Sequence, residues 1–156
     1  MYGLTEQQLT EIGRITVAAS HLEAALCTLS VRILSVPFFD TLGRTGEALR
    51  AARRALCEMQ DIDRKSVEPY VDAAERLLGE RHKLIHALWM EAGTLDGRPV
   101  VVGYHHRSAT QTPAEAPLVY TLAPAMAGLA TQLVGVVMQR FPPLTPPFPP
   151  YDSEPQ

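Results

Sequence analysis

The longest uninterrupted helical pattern of the chain ends in the stretch Glu80-Arg81-His82-Lys83-Leu84-Ile85-His86-Ala87-Leu88-Trp89. With about 100° between successive residues of a helix, Arg81 projects from the middle of an apolar stripe. The other members of that stripe are Ala74, Leu77, Leu78, Ile85, Leu88 and Trp89. His82 and His86 lie one turn apart at its edge, where their side chains are neighbours. Because an unpaired buried charge is costly, we expect Arg81 to have a protein partner, a hydrated cleft or a functional role.

Composition and charge predict a soluble protein of one domain. The chain has 156 residues, of which 46% are hydrophobic and 20% charged, and its net charge is −3. These values are ordinary for a globular domain and argue against general binding to polyanions. We see neither a secretory signal nor an apolar run approaching about 18 residues, so we expect no membrane span and a cytoplasmic location. Cys27 and Cys57 fit a reducing compartment, although their pairing stays open.

Apolar spacing predicts four principal helices as the main elements of the chain. They are expected at residues 6–36, 46–59, 66–90 and 124–140. Thr5 and Gln8 form a capping box for the first helix, which Pro37 ends. Ser66 is expected to cap the third helix, and Pro124 to open the last.

The pattern changes after Gly93. A turn signal at residues 94–99 precedes the β-like run Val100–Tyr104, and Leu118–Leu122 is its expected partner across a loop. We therefore predict an all-α fold, a bundle of four principal helices with a small β-hairpin insert at about residues 94–122. The domain is expected to cover residues 1–141. Seven of the thirteen prolines fall at or after Pro142, so residues 142–156 are predicted to be a disordered proline-rich tail.

Several common sites are unsupported by the sequence. No glycine-rich phosphate loop follows a strand, and there is no GxSxG motif. His82 and His86 have the spacing of a zinc-binding helix, but no glutamate lies between them to act as a base. A zinc site would need a third ligand such as His105, His106 or Glu23. His105 and His106 are expected to be exposed at a strand end.

The stretch from Glu80 to Trp89 resembles the motif of the HEPN superfamily of small α-helical domains. There, an arginine is followed by a polar residue, and four to six residues separate the arginine from a histidine. Arg81, His82 and His86 match this pattern, and Trp89 trails the histidine as in many small bacterial members. The layout of a long first helix, a shorter second, the motif late in the third and a final helix is similar as well.

The resemblance implies a metal-independent endoribonuclease without a cofactor, acting on RNA as a homodimer in a toxin or defence setting. The two copies of the motif would form a composite site, and a neutralising protein partner would restrain it. His86 would take the proton from a ribose 2′-hydroxyl, and Arg81 would stabilise the charge on phosphorus. His82 would orient the phosphate or carry the second proton.

A non-catalytic reading of the same residues stays open. Arg81 would then pair with Glu23 or another buried carboxylate, while the histidines only pack. The superfamily also contains members that bind without cleaving, so the alternative is an inactive HEPN-like binding module.

Overall fold

The computed structural model describes residues 4–142. Within that range the chain forms five helices and a three-stranded antiparallel sheet, and it is mostly helical. The helices are α1 (Glu6–Leu34), α2 (Phe38–Thr41), α3 (Thr45–Glu58), α4 (Asp61–Ile85) and α5 (Pro117–Arg140). The strands are β1 (Leu88–Leu95), β2 (Arg98–His105) and β3 (Thr110–Pro113), in the order β1-β2-β3. The predominance of helix is confirmed, but a three-stranded sheet takes the place of the predicted hairpin, so the fold is not plainly all-α. The predicted tail lies outside the described residues from position 143 onward.

The first helix forms the centre of the core. As predicted, the N–H of Gln8 donates to Thr5 Oγ1 (3.2 Å) and the N–H of Thr5 donates to Gln8 Oε1 (2.9 Å). The helix ends at Leu34, because Ser35 adopts the left-handed conformation before Pro37. Its fully buried side chains repeat at helical spacing and include Ile15, Leu22, Leu26 and Leu29. α1 packs against α3, α4 and α5, so these residues hold the helices together.

The fourth helix begins earlier and ends earlier than predicted. Asp61 and Asp63 lie in its first turn instead of breaking the pattern, because carboxylates interact favourably with a helix N-terminus. Ser66 is no cap, and its hydroxyl donates to the carbonyl oxygen of Ile62 (3.0 Å). The helix stops at Ile85 rather than near Met90.

Leu88 and Trp89 belong to β1 and not to the apolar stripe of α4, contrary to prediction. Trp89 pairs across the sheet with Gly103 and is almost fully buried. A Cβ atom at Gly103 would lie 3.0 Å from two ring atoms of Trp89 and 3.0 Å from Cβ of Ala87. The missing side chain of Gly103 therefore makes the space in which Trp89 packs.

The predicted strand at Leu118–Leu122 is wrong, since these residues form the start of α5. Pro117 occupies the first turn of that helix, where its missing N–H costs nothing, and Pro124 lies inside it. Val119, Leu122 and Met126 are buried at helical spacing. β3 takes the predicted place beside β2, in a segment that we expected to be a loop.

Two helices are more apolar than the sequence analysis allowed. By length and composition alone, α1 and α5 are each long and apolar enough to cross a membrane. The buried core helices of globular proteins share this property. About half of the most apolar part of α1 is buried, compared with about a third of the most apolar part of α5.

The two cysteines are free thiols. Cys27 is buried and its Sγ accepts a hydrogen bond from the hydroxyl of Thr41 (3.1 Å), while Cys57 is exposed. Burial raises the pKa of the Cys27 thiol, because a thiolate is poorly solvated there. The disulfide that the sequence left open is not formed.

Candidate functional site

The C-terminal end of α4 brings together two of the three predicted site residues. His86 is the residue that caps the helix, and its N–H donates to the carbonyl oxygen of His82 (3.2 Å). This last turn brings the two imidazoles to 4.5 Å between ring centroids, with their ring planes inclined at 55°. Both side chains are exposed. The prediction that His82 and His86 are neighbours is confirmed.

Arg81 lies on the same turn and is half-buried. Its Nε atom is buried, and no hydrogen-bond acceptor reaches it within residues 4–142. Glu23, one partner considered for Arg81, is buried on α1 and accepts a hydrogen bond from the hydroxyl of Thr45. Among the ion pairs of the described residues, none includes Arg81. The guanidinium of Arg81 is therefore not committed to an ion pair within the described residues.

The sheet adds a third histidine, His105, which we considered from the sequence only as a possible zinc ligand. His105 ends β2, and its ring centroid lies 5.6 Å from that of His82 in an edge-to-face arrangement. The expectation that both His105 and His106 are exposed is wrong for His105, which is buried, and right for His106. The proximity of His105 to His82 arises only from the return of the chain from β1 into β2, because 22 residues lie between the two histidines in the sequence.

Hydrogen bonds fix the buried ring of His105. Its Nδ1 lies 2.8 Å from Ser108 Oγ, which in turn lies 2.7 Å from Thr110 Oγ1 on β3. The N–H of Ser108 also donates to Nδ1 at 3.4 Å. These contacts occupy Nδ1 and leave Nε2 as the free ring nitrogen.

Positive charge accumulates around His82. Partial burial of its ring and the nearby charges of His86, His105, Arg107 and Arg81 lower the pKa of His82 below its ordinary value. On the adjacent turn, the carboxylate of Glu80 accepts from Lys83 (2.8 Å) and is thereby partly neutralised. An anion entering beside His82 would relieve the repulsion between these groups.

The geometry does not favour the zinc site considered above. Within the described part of the chain, no group of three His, Cys, Asp or Glu side chains is arranged to hold a metal ion. Arg81 and Arg107 also lie close enough to His82 to disfavour a cation there. The guanidinium groups of Arg81 and Arg107, in contrast, are suited to bind a phosphate.

A second basic surface lies on α3, where a shallow cleft is lined by Arg50, Arg53 and Arg54. Carboxylates neutralise much of it. Arg50 pairs with Glu47, and Arg53 contacts both Asp72 (2.6 Å) and Glu75 (2.5 Å). These ion pairs make it a weaker anion site than the end of α4.

Comparison with protein-family models, curated proteins and solved structures gave no match. The assignment of a function therefore rests on the chemistry of the site.

Proposed function

We propose that the chain is a metal-independent endoribonuclease of the HEPN type, with its site at the C-terminal end of α4. The observation that carries the proposal is the contact between the imidazoles of His82 and His86 beside a half-buried guanidinium whose Nε has no acceptor within residues 4–142. Imidazoles can transfer protons near neutral pH, and a guanidinium can bind phosphate oxygens through forked donors. The combination suits phosphodiester chemistry that needs no metal.

In the proposed reaction, His86 removes the proton from a ribose 2′-hydroxyl, and the resulting oxygen attacks the adjacent phosphorus. Arg81 stabilises the extra negative charge of the pentacoordinate state. His82 orients the phosphate or protonates the departing 5′-oxygen. Because the pKa of His82 is lowered, its imidazolium form is a stronger acid than an ordinary histidine imidazolium. The products are a 2′,3′-cyclic phosphate and a 5′-hydroxyl.

The proposal includes a homodimer. Two copies of the chain would face each other around Arg81, His82 and His86 and form a composite site, with α1, α3, α4 and α5 as the four-helix HEPN-type bundle. A shared polar cleft explains why a guanidinium lies on a largely apolar helix face. We place the protein in the cytoplasm, where RNA is accessible and a protein partner could restrain it.

Product analysis tests this proposal directly. Wild-type protein, His86→Ala and Arg81→Ala are incubated with total RNA in excess EDTA, with His106→Ala as the matched control. We expect cleavage by wild type and control to leave 2′,3′-cyclic phosphates, and each site variant to lose at least about 100-fold in rate. Equal activity in wild type and His86→Ala would assign the cleavage to another site or to a contaminant.

An inactive binding module of the same type is the second candidate. The neutralisation of the arginines on α3 favours it, because the described surface then lacks a broad basic track for RNA. This reading predicts no cleavage by any variant. It also predicts a protein partner whose retention is lost when Arg81 is replaced.

A further inference from the structure

His105 is the buried imidazole that the proposed reaction does not use. It is 6% exposed, although it sits at the end of a strand beside a turn of exposed residues. A buried ring nitrogen such as Nδ1 is costly unless it is hydrogen-bonded. Ser108 and Thr110 provide that bonding through a chain of short contacts.

We infer that His105 is a positioning residue of the proposed site, holding the imidazole of His82 against the end of α4. The inference rests on the proposed function. His82 is exposed, so its side chain would otherwise sample several rotamers. The edge of one ring against the face of the other, at 5.6 Å between centroids, restricts that freedom. The sheet thus serves as the second wall of the site.

The sheet and its turn fix the ring of His105 independently of the contact with His82. His105 pairs with Thr110 in the ladder between β2 and β3, and Ala109 turns the chain with a positive φ of 51°. This tight turn presents the Ser108 hydroxyl to Nδ1 of His105. The ring of His105 is therefore fixed by the sheet before it meets His82, which makes Ser108 the residue that sets the geometry.

The same contact tunes the charge of His82. The groups that face His82 are Arg81 and His86 from α4, His105 from β2, and Arg107 from the following turn. All of them are cationic when protonated, so each opposes the protonation of His82. Loss of the imidazole at position 105 should raise the pKa of His82 and move any activity that needs protonated His82 to higher pH.

NMR of the histidine rings tests the inference. We expect a nuclear Overhauser cross-peak between the ring protons of His82 and His105 in the wild type. This cross-peak should weaken in Ser108→Ala, a variant that retains both histidines but lacks the hydroxyl that orients His105. His105→Phe keeps an aromatic ring but no charge, and it should raise the pKa of His82. His106→Phe is the matched control, because His106 is exposed and next to His105 in the chain, and it should leave that pKa unchanged.

Kinetics supply the readout that distinguishes positioning from folding. In Ser108→Ala we expect kcat to fall about tenfold with KM nearly unchanged, because the phosphate ligands remain while the proton carrier is misplaced. An absent cross-peak in the wild type, or a pKa of His82 unaltered by His105→Phe, would overturn the inference. The NMR results decide the role of His105 even if no RNA is cleaved, in which case only the proposed function fails.

Discussion

Arg81 has a buried donor that is unfavourable for folding. Its helix neighbours Leu77, Leu78 and Ile85 are buried or half-buried, and its Nε has no acceptor within the described residues. A buried donor without an acceptor costs about 1–3 kcal/mol. Such a residue destabilises the isolated chain, and its presence is understandable if a ligand or a second chain supplies the acceptor.

Replacement of Arg81 by methionine should therefore stabilise the fold. We expect the free energy of unfolding of Arg81→Met to increase by about 1 kcal/mol, because the unsatisfied donor is removed while the length of the side chain is kept. Urea unfolding followed by circular dichroism measures it. Arg76→Met is the control, since Arg76 is exposed on the same helix and should change stability by less than about 0.5 kcal/mol. A loss of about 3 kcal/mol in Arg81→Met would instead reveal a buried ionic partner.

The predictable and unpredictable parts of the site differ in their range along the chain. His82 and His86 can be placed side by side from the sequence because their proximity follows from helical spacing alone. His105 cannot, since it approaches His82 only through the pairing of β1 with β2. No local sequence pattern predicts that pairing. Without knowledge that α4 lies next to the end of β2, exposure is the natural expectation for both His105 and His106.

At the scale of elements, the helices were predictable wherever one periodicity ran between clear end signals. The capping box fixed the start of α1, and α3 differs from its expected bounds by one residue at each end. The C-terminal end of α4 was predicted too late in the chain, because Leu88 and Trp89 continue the apolar spacing of the helix although they belong to β1. The burial of Trp89 opposite Gly103 outweighs that local preference, since tertiary packing readily overrides propensity.

The contact between Gly103 and Trp89 makes a sharp prediction for the sheet. Gly103→Ala should lower the free energy of unfolding by about 1–3 kcal/mol, because the new methyl group would meet Ala87 and the indole ring at 3.0 Å. Thermal unfolding monitored by the fluorescence of Trp89 reports it, since the chain has one tryptophan. Gly128→Ala on α5 is the control. A Cβ there meets nothing within 4 Å, so the helix should gain about 0.5–1 kcal/mol. Equal unfolding temperatures for Gly103→Ala and the wild type would refute this account of the turn from α4 into the sheet.

At the scale of the whole molecule, the distribution of charge matters more than its sum. The net charge of −3 argues against a general polyanion binder, yet several basic side chains converge at the end of α4. On α3, Arg50 and Arg53 pair with carboxylates of α3 and α4, which lowers their attraction for phosphate. Beside His82, by contrast, Arg81 and Arg107 contribute positive charge and belong to none of the ion pairs of the described residues. A local site on a weakly acidic protein suits the binding of one phosphate better than the tracking of a long strand.

Beside that site, β1 exposes apolar side chains that a second copy of the chain would cover. Leu88 is 52% exposed and Met90 44% exposed, on the face of the strand opposite Trp89. Leu88 follows His86 by two residues and pairs with Tyr104, the residue before His105. A dimer joined around the histidines would therefore bury Leu88, whereas Leu95, at the far end of the same strand, would remain outside it.

A charge at Leu88 should separate the proposed dimer. Light scattering on the wild type is expected to give twice the chain mass of 17.1 kDa, and Leu88→Lys to give a single chain because an unpaired ammonium would be buried at the interface. Leu95→Lys adds the same charge at a position that is 68% exposed, and it should remain dimeric. Because lysine adds positive charge, it does not weaken the attraction of RNA, so loss of cleavage in Leu88→Lys alone would be due to the loss of the partner. If the wild type is a monomer that still cleaves RNA, the composite site is wrong, and one copy of Arg81, His82 and His86 must suffice.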